Sequence, residues 1–491
     1  MAKQNRLPLT DGGSQTSSSR RGPQSLRAAA VALVGLSAVF LFEMLDNSIL
    51  NVALPTIGRE LNASTTALQW VTGSYAVVFG GLMLLFSAIA DKFGRRRVML
   101  IGLTLLGLAS LCTVFVTTPE QLIAVRAAMG IAAAMTTPGS MALAFRLFDA
   151  ENLRVRAITL ISTVGLVGLA IGPTLGGFVL SVAPWQVLLL INVPIAILAF
   201  IGIRIGVGTD TPAELHRDPL DIAGALLGTA TIVLALVAPT LFVDEGADSW
   251  APWTATGGAV VAAILFVVRE RTARFPLLDL NLIALPLVSS GLAYKAASGL
   301  AIAGLGYMVT FQLQFAWGWP PALAALGLLP QVVVLLAGGR LVGPFVDKVG
   351  MNRAAWISAA SVVLGLGVFA VGSRFGYVWI AIALVLVAAG MRVVGVVAGT
   401  NVMTGLPRNR TTIGAALVDT SSEVATGIGI AVTGTILAAV FTGDIASPAW
   451  TTQQAATFQD GVTVAGFTLT VIAAALVWIG IIRSRPTRNT P

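Results

Sequence analysis

The sequence is poor in charged residues, cysteine and histidine. Asp, Glu, Lys and Arg make up only 11% of the 491 residues, whereas soluble domains carry about 25%. Cys112 is the only cysteine, so no disulfide can form within the chain. His216 is the only histidine, which argues against a histidine-based metal cluster. These shortages exclude an ordinary soluble domain and a disulfide-stabilised secreted fold.

Motifs for nucleotide binding and catalysis are absent as well. No Gly-x-x-x-x-Gly-Lys-Ser/Thr loop occurs in the chain, which disfavours an ATP-driven pump. No paired histidines, metal cluster or nucleophile arrangement indicates an enzyme. The net charge of +8 would fit a nucleic-acid partner, but the basic residues lie in short segments between apolar runs. We therefore expect that the protein is not an enzyme and that it binds no metal, cofactor or nucleic acid. Because an ATP-driven pump is disfavoured, an ion gradient is the expected energy source.

Long apolar segments fill most of the chain. Hydrophobic residues make up 56% of the sequence, and runs of about 18–25 apolar residues, enough to cross a bilayer, recur along it. We predict an all-α polytopic membrane protein with fourteen transmembrane helices, the first over residues 28–50. The lipid bilayer is its first expected partner.

An inner-loop pattern occurs twice and divides the chain into halves. Asp91-Lys92-x-Gly94 follows the second predicted span, and Asp347-Lys348-x-Gly350 follows the tenth. Such repeats are typical of transporters built from two similar halves. The predicted units are a disordered cytoplasmic tail at 1–26, six-helix bundles at 27–206 and 286–483, a linker region at 207–285 with extra spans at 221–241 and 253–268, and a cytoplasmic tail at 484–491.

The basic residues predict the orientation in the membrane. With a cytoplasmic N-terminus, 25 of the 30 Lys and Arg residues fall in inner segments, and only Arg59 and Arg374 fall in outer loops. Cytoplasmic loops carry such an excess of positive charge. Eight of the ten tryptophans lie at the outer helix ends. We expect a bacterial cytoplasmic-membrane protein with both termini inside.

Glycines and a proline interrupt the fifth predicted span, residues 157–180. Gly168, Gly172 and Gly176 recur every four residues, so they lie on one helix face where a neighbouring backbone can approach closely. Pro173 removes a helix hydrogen bond and permits a bend. Together with Gly177 they form the pattern Gly-x-x-x-Gly-Pro-x-x-Gly-Gly, which fits either a tightly packed helix pair or a bendable transporter helix.

This pattern resembles the antiporter motif of the major facilitator superfamily, which its exporters carry on the fifth helix. Residues 45–55 resemble the first-helix motif of the fourteen-span drug:proton antiporters, and residues 87–97 resemble the inner-loop motif, with Ser87 at its usual glycine. The resemblance implies the major facilitator fold, two six-helix bundles plus two inserted helices. The residues predicted to gate conformational change are Asp91, Gly94, Arg95, Asp347 and Gly350.

Two acids and an arginine in the first half are candidates for proton coupling. Asp46 is the acid of the first-helix motif, and Glu43 lies three residues earlier on the same helix face. Arg126 stands in a segment that resembles the fourth-helix motif. An intramembrane arginine keeps its proton and needs a partner, and the resemblance implies Asp46 or Glu43. Two alternatives stay open: Asp46 is simply hydrated near the outer end of the helix, or Arg126 forms a purely structural ion pair.

Three charged residues in the second half are candidates for the substrate cavity. Asp419 and Glu423 lie four residues apart on the thirteenth span and therefore share a face. Arg392 lies midway along the twelfth span and is expected to pair with one of the two acids. Lys295 lies near the inner part of the ninth span, where it can extend to the membrane interface.

The resemblance implies a monomeric proton antiporter that exports amphipathic drugs or a secondary metabolite and confers antibiotic resistance. A facilitator or importer of a small solute on the same fold is the first alternative, although importers usually lack the antiporter motif. A membrane sensor or a lipid-handling protein is the second alternative. A sensor would normally need a soluble output domain, and the sequence contains none, since both of its tails are short.

The predicted topology can be tested by thiol labelling on intact cells. Cysteines replacing Ser249 and Ser447, in a background without Cys112, should react with an impermeant reagent because both positions fall in predicted outer loops. Labelling that appears only after permeabilisation would refute the fourteen-span topology.

Overall fold

A computed structural model describes residues 25–148, 150–210, 221–274, 276, 278–406, 411–441, 445 and 450–484. These residues form helices and connecting turns without a strand, as the all-α prediction requires. The predicted tails lie almost wholly outside the described residues. The helices of the first half are α1 (Ala30–Leu61), α2 (Thr65–Phe93), α3 (Arg95–Cys112), α4 (Pro119–Leu147), α5 (Glu151–Val182), α6 (Gln186–Leu190) and α7 (Asn192–Gly206).

The inserted region and the second half supply eleven further helices. Of these, α8 (Ile222–Asp244) and α9 (Trp250–Thr272) correspond to the two extra predicted spans. The rest are α10 (Leu280–Ala284), α11 (Pro286–Phe311), α12 (Pro321–Gly327), α13 (Leu329–Ala337), α14 (Gly339–Val349), α15 (Met351–Gly372), α16 (Tyr377–Gly405), α17 (Thr411–Val440) and α18 (Thr452–Ser484). The assignment of bundles to 27–206 and 286–483 stays a prediction.

Among the described residues, twelve helices are long and apolar enough to cross a membrane, and fourteen if each of two bent pairs counts as one span. One of the pairs lies within α2, with a bend of 49°; in the other, α13 and α14 meet at 63°. The tenth span is therefore broken into segments. The first span was predicted too short: α1 continues through Pro55 to Leu61 and ends where Asn62 adopts φ 49°.

Close packing of α1 against α5 explains the repeated glycines. A methyl group at Gly168 would lie 2.9 Å from Leu41 Cδ1, and one at Gly176 would lie 2.9 Å from Ile49 Cγ1. At Gly172 it would overlap the Ser48 hydroxyl. The glycine face predicted from the sequence is thus in contact with a neighbouring helix, and any larger side chain would push α1 and α5 apart.

Contacts between the halves occur at the end of the bundle that holds the C-terminus of α1. Arg59 Nη2 donates to the Gln314 carbonyl at 3.2 Å, and Gln314 Nε2 donates to the Val52 carbonyl at 2.8 Å. On α5, Gly177 abuts α12, because a methyl group there would lie 2.7 Å from the Pro321 carbonyl oxygen. These contacts join the two halves at this end.

The start of α1 and the end of α18 both lie at the opposite end of the bundle. The C-terminal end of α1 meets the short turn that follows α11, where Arg59 donates to the Gln314 carbonyl. The N-terminal end of α11 meets the C-terminal end of α18, where the Ser290 hydroxyl donates to the Gly480 carbonyl at 2.8 Å. This arrangement agrees with an even number of spans.

The inserted helix α8 lies beside both halves. It packs against α9, α2 and α17. The Thr229 hydroxyl donates to the Gly81 carbonyl of α2 at 2.8 Å, and Gln69 Nε2 of α2 donates to the Thr240 hydroxyl at 3.1 Å. Leu236 of α8 is buried in a small apolar cluster that also contains residues of α2 and α17.

The close packing predicts the effect of filling the α1–α5 contact. Gly172→Leu should insert into the membrane but lower the unfolding temperature, since overpacking costs about 1–3 kcal/mol or more. The neighbouring substitution Ile171→Leu is the matched control, because Ile171 is exposed on the outer face of α5. Thermal unfolding of both purified variants measures the difference; equal stability would mean that this face of α5 is not in contact.

Candidate functional site

A buried ion pair lies at the centre of the first half. Arg126 Nη1 of α4 donates to Asp46 Oδ2 of α1 at 2.5 Å, and both side chains are fully buried. Asn192 of α7 donates from Nδ2 to the other carboxylate oxygen, Oδ1, at 2.7 Å. The pairing of Arg126 with a first-helix acid is confirmed, and the acid is Asp46. The alternative of a hydrated Asp46 near the helix end is wrong, because its side chain has no exposure.

The α2 helix completes the surroundings of Arg126. The Nε of Arg126 donates to the Val71 carbonyl at 3.3 Å, and the Arg126 guanidinium lies 4.5 Å from the centre of the Tyr75 ring. The remaining nitrogen, Nη2, is buried without a hydrogen-bond partner. One carboxylate and the face of one aromatic ring therefore stabilise the charge of Arg126, and one of its nitrogens stays without a hydrogen-bond acceptor.

Sequence reasoning missed Asn192 and Tyr75. A lone amide at the start of an apolar helix was the only available signal for Asn192. Its partner lies 146 residues away in the chain, so the pairing depends on how α7 packs against α1. Nothing in the local sequence distinguishes Tyr75 from an ordinary core tyrosine.

Glu43 belongs to a separate group of charges. It is 4% exposed, and its Oε2 has no hydrogen-bond partner. It lies within electrostatic range of Glu423, Asp419 and Lys295 of the second half. Although Glu43 and Asp46 are three residues apart, only Asp46 pairs with Arg126, whereas Glu43 lies within electrostatic range of charged groups of the second half.

The expected pairing of Arg392 with Asp419 or Glu423 is not found. Among the residues that the structure describes, Arg392 has no ion pair or hydrogen bond, and its Nε is buried without a partner. Lys295 instead lies within electrostatic range of both acids. Arg392 does not pair with either acid because its side chain is directed toward Gly339 at the start of α14 rather than toward α17.

A cavity of about 500 Å³ lies between the two halves. The first half contributes Met44, Asn47 and Ser48 of α1 and Pro173 of α5 to its lining. Lys295, Arg392 and Glu423 line it from the second half. Its size and mixed lining suit a small amphipathic molecule.

The repeated inner-loop motif forms a similar turn in both halves. Gly94 has φ 103° and Gly350 has φ 81°, backbone conformations that favour glycine. Arg95 Nε donates to Asp91 Oδ1 at 2.6 Å, while Asp347 is exposed on α14. The gating roles of these five residues stay predictions.

Asp210, which sequence reasoning missed, connects to α3 and α4 next to the inner loop of the first half. Its Oδ2 accepts the Arg96 backbone N–H in the first turn of α3 at 3.1 Å, and its Oδ1 pairs with Arg146 of α4 at 3.0 Å. A carboxylate is favourable at a helix N-terminus. The residue lies in the predicted linker, where the sequence offered no partner for it.

The buried pair can be tested by a double-mutant cycle. Arg126→Leu alone should lower the free energy of unfolding by about 3–5 kcal/mol, because Asp46 is left charged and buried. Adding Asp46→Asn should restore much of that loss. Arg97→Leu, at an exposed position on α3, is the control, and additive single effects would show that the two side chains do not interact.

The chain resembles known transporters along most of its length. The model described as Major Facilitator Superfamily matches residues 36–430. The cephamycin export protein CmcT of Amycolatopsis lactamdurans is 33% identical over 69% of this chain and 70% of its own length. The multidrug efflux pump LfrA of Mycolicibacterium smegmatis is 26% identical over 87% of this chain and 84% of its own length.

A solved structure supports the same fold. It is a bacterial homologue of the human lysosomal transporter Spinster in an inward-facing, unoccupied conformation, with a TM-score of 0.65 and 15% identity over 94% of this chain and 98% of that chain. Together with the helix arrangement and the family match, this likeness identifies the chain as a multi-pass membrane protein that belongs to the Major Facilitator Superfamily.

Proposed function

We propose that this protein exports an amphipathic drug or secondary metabolite across the cytoplasmic membrane in exchange for protons. The observation that carries the proposal is the buried Asp46–Arg126 pair, held by Asn192 beside a cavity that both halves line. The names of the export and efflux proteins similar to this chain support the direction of transport. Catalysis is not part of this function.

Proton coupling would act through the charge of Asp46. When a proton binds its carboxylate, the charge that fixes Arg126 Nη1 disappears. Arg126 keeps its own proton, so its guanidinium would be left with the Val71 carbonyl and the Tyr75 ring as neighbours. Protonation would therefore weaken the connection between α1 and α4, and loss of the proton would restore it.

The gradient can supply the required free energy. Moving one elementary charge through 100 mV is worth about 2.3 kcal/mol. One proton per cycle would thus support a concentration ratio of roughly fiftyfold for a neutral substrate at that potential.

Alternating access would use the contacts that join the halves at one end. Arg59 and Gln314 close that end together with the α5–α12 contact at Gly177. Separating them would open the cavity there, while the two repeated loops approach each other at the opposite end. The Asp91–Arg95 pair and the turns at Gly94 and Gly350 would form the latch in that region.

The orientation belongs to the same proposal. The excess of basic residues in alternate loops supports cytoplasmic termini, and the cavity would then be closed toward the outside by the Arg59 contacts. The two halves supply a complete cavity within one chain, so a monomer suffices. The relatives come from bacteria, which supports a bacterial cytoplasmic membrane.

Transport in inverted membrane vesicles tests the coupling. With an imposed pH gradient and a panel containing ethidium and dansyl-leucine, the wild type should accumulate at least one compound. Asp46→Asn cannot take up a proton, so it should lose pH-driven accumulation and no longer respond to pH, while substrate binding survives. Asp248→Asn, at an exposed loop position, is the control and should behave as the wild type.

Glu43→Gln and the double variant identify the proton carrier. If Glu43→Gln alone abolishes coupling and Asp46→Asn does not, Glu43 is the carrier. If the double variant still couples transport to the gradient, the protons bind elsewhere, and Asp419 and Glu423 become the next residues to test. No gradient-driven transport of any compound by the wild type would contradict the proposed function.

A further inference from the structure

Arg392 presents an unmatched positive charge to the cavity. It lines the space between the halves from α16. None of the described residues pairs with it or accepts a hydrogen bond from it. An arginine at membrane depth keeps its charge, is costly there and is normally paired. Arg392 is therefore available, as far as the described residues go, to bind an anion that enters the cavity.

The chain makes room for this guanidinium. Gly339 lies directly beside it at the bend between α13 and α14, and a methyl group on Gly339 would overlap Arg392 Nη2. The absence of a side chain at this position lets the guanidinium lie at the cavity wall, with its donors available to a bound molecule.

Lys295, the other cation that lines the cavity, has no ion pair or hydrogen bond among the described residues either, but three acids lie near it. Lys295 lies within electrostatic range of Asp419, Glu423 and Glu43. Arg392 forms no ion pair or hydrogen bond with any of these three acids. The acids and Lys295 thus form one charge group, and Arg392 forms a separate positive site.

We propose that Arg392 binds the carboxylate of an amphipathic organic anion, which makes this transporter selective for acidic or zwitterionic substrates rather than strictly cationic ones. The guanidinium offers parallel N–H donors that match the two oxygens of a carboxylate. Apolar side chains of both halves, among them Leu166, Ile302, Val332 and Val396, line the rest of the cavity and can take up the apolar part. This inference rests on the proposed function, because it names the substrate class of the same cavity.

Matched fluorescent probes test the charge preference directly. Dansyl-leucine is an anion at neutral pH, and dansyl-leucinamide is a neutral molecule of the same shape. The purified full-length protein in phosphatidylcholine nanodiscs should bind the acid about tenfold or more tighter than the amide, as expected for a charge-assisted bidentate contact. Equal affinities, or no binding of the acid, would overturn the inference without any use of a variant.

Substitutions then assign the preference to Arg392. Arg392→Gln should reduce the affinity for dansyl-leucine to that for dansyl-leucinamide and leave the affinity for dansyl-leucinamide unchanged. Arg392→Lys should recover part of the preference, since lysine keeps the charge but loses the planar pair of donors. Arg340→Gln, at an exposed position on α14, should keep the wild-type preference, and a preference that survives Arg392→Gln would refute the assignment.

The inference and the proposed function fail in different ways. Gradient-driven accumulation of ethidium by a protein that does not prefer dansyl-leucine would refute the anion site and leave proton-coupled export standing. Binding of dansyl-leucine through Arg392, without gradient-driven transport of any compound, would support the anion site and refute the coupling.

Discussion

Arg126 cannot release its proton inside the membrane, so the helices around it can pack only if a fixed anion meets its charge. Asp46 of α1 supplies that anion, and Asn192 of α7 holds the second carboxylate oxygen. Val71 and Tyr75 bring α2 to the same point. Four helices therefore meet at one carboxylate and its arginine, and a change in the charge of that carboxylate would act on all four.

The second half distributes its charges differently. Glu43 of the first half lies within electrostatic range of Asp419, Glu423 and Lys295, while Arg392 has no partner among the described residues. Glu43 and Glu423 each have a buried carboxylate oxygen without a hydrogen-bond partner. The charged residues that line the cavity are one acid, Glu423, and two cations, Lys295 and Arg392, so a bound molecule can be oriented by its own charges.

The fold and part of the site could be predicted from the sequence because they depend on periodicity and on the cost of charge in lipid. The glycine face of α5 and the pairing of Arg126 with a first-helix acid follow from those two constraints. The choice of Asp46 over Glu43 does not follow from them. Side chains three residues apart on a helix differ in direction by about 60°, so the neighbouring helices decide which acid meets the arginine. The roles of Asn192 and Asp210 depend on partners far away in the chain, and the free state of Arg392 depends on the bend before α14.

The contacts of α8 have a mechanical consequence. It is joined to α2 by directional hydrogen bonds at Thr229 and Thr240, while Leu236 meets α17 through apolar surface. Hydrogen bonds fix one geometry, whereas packed apolar surfaces can slide by small steps. If the halves rock, α8 would therefore travel with α2, and its apolar contact with α17 would shear while the hydrogen bond from Gln69 of α2 to Thr435 of α17 breaks.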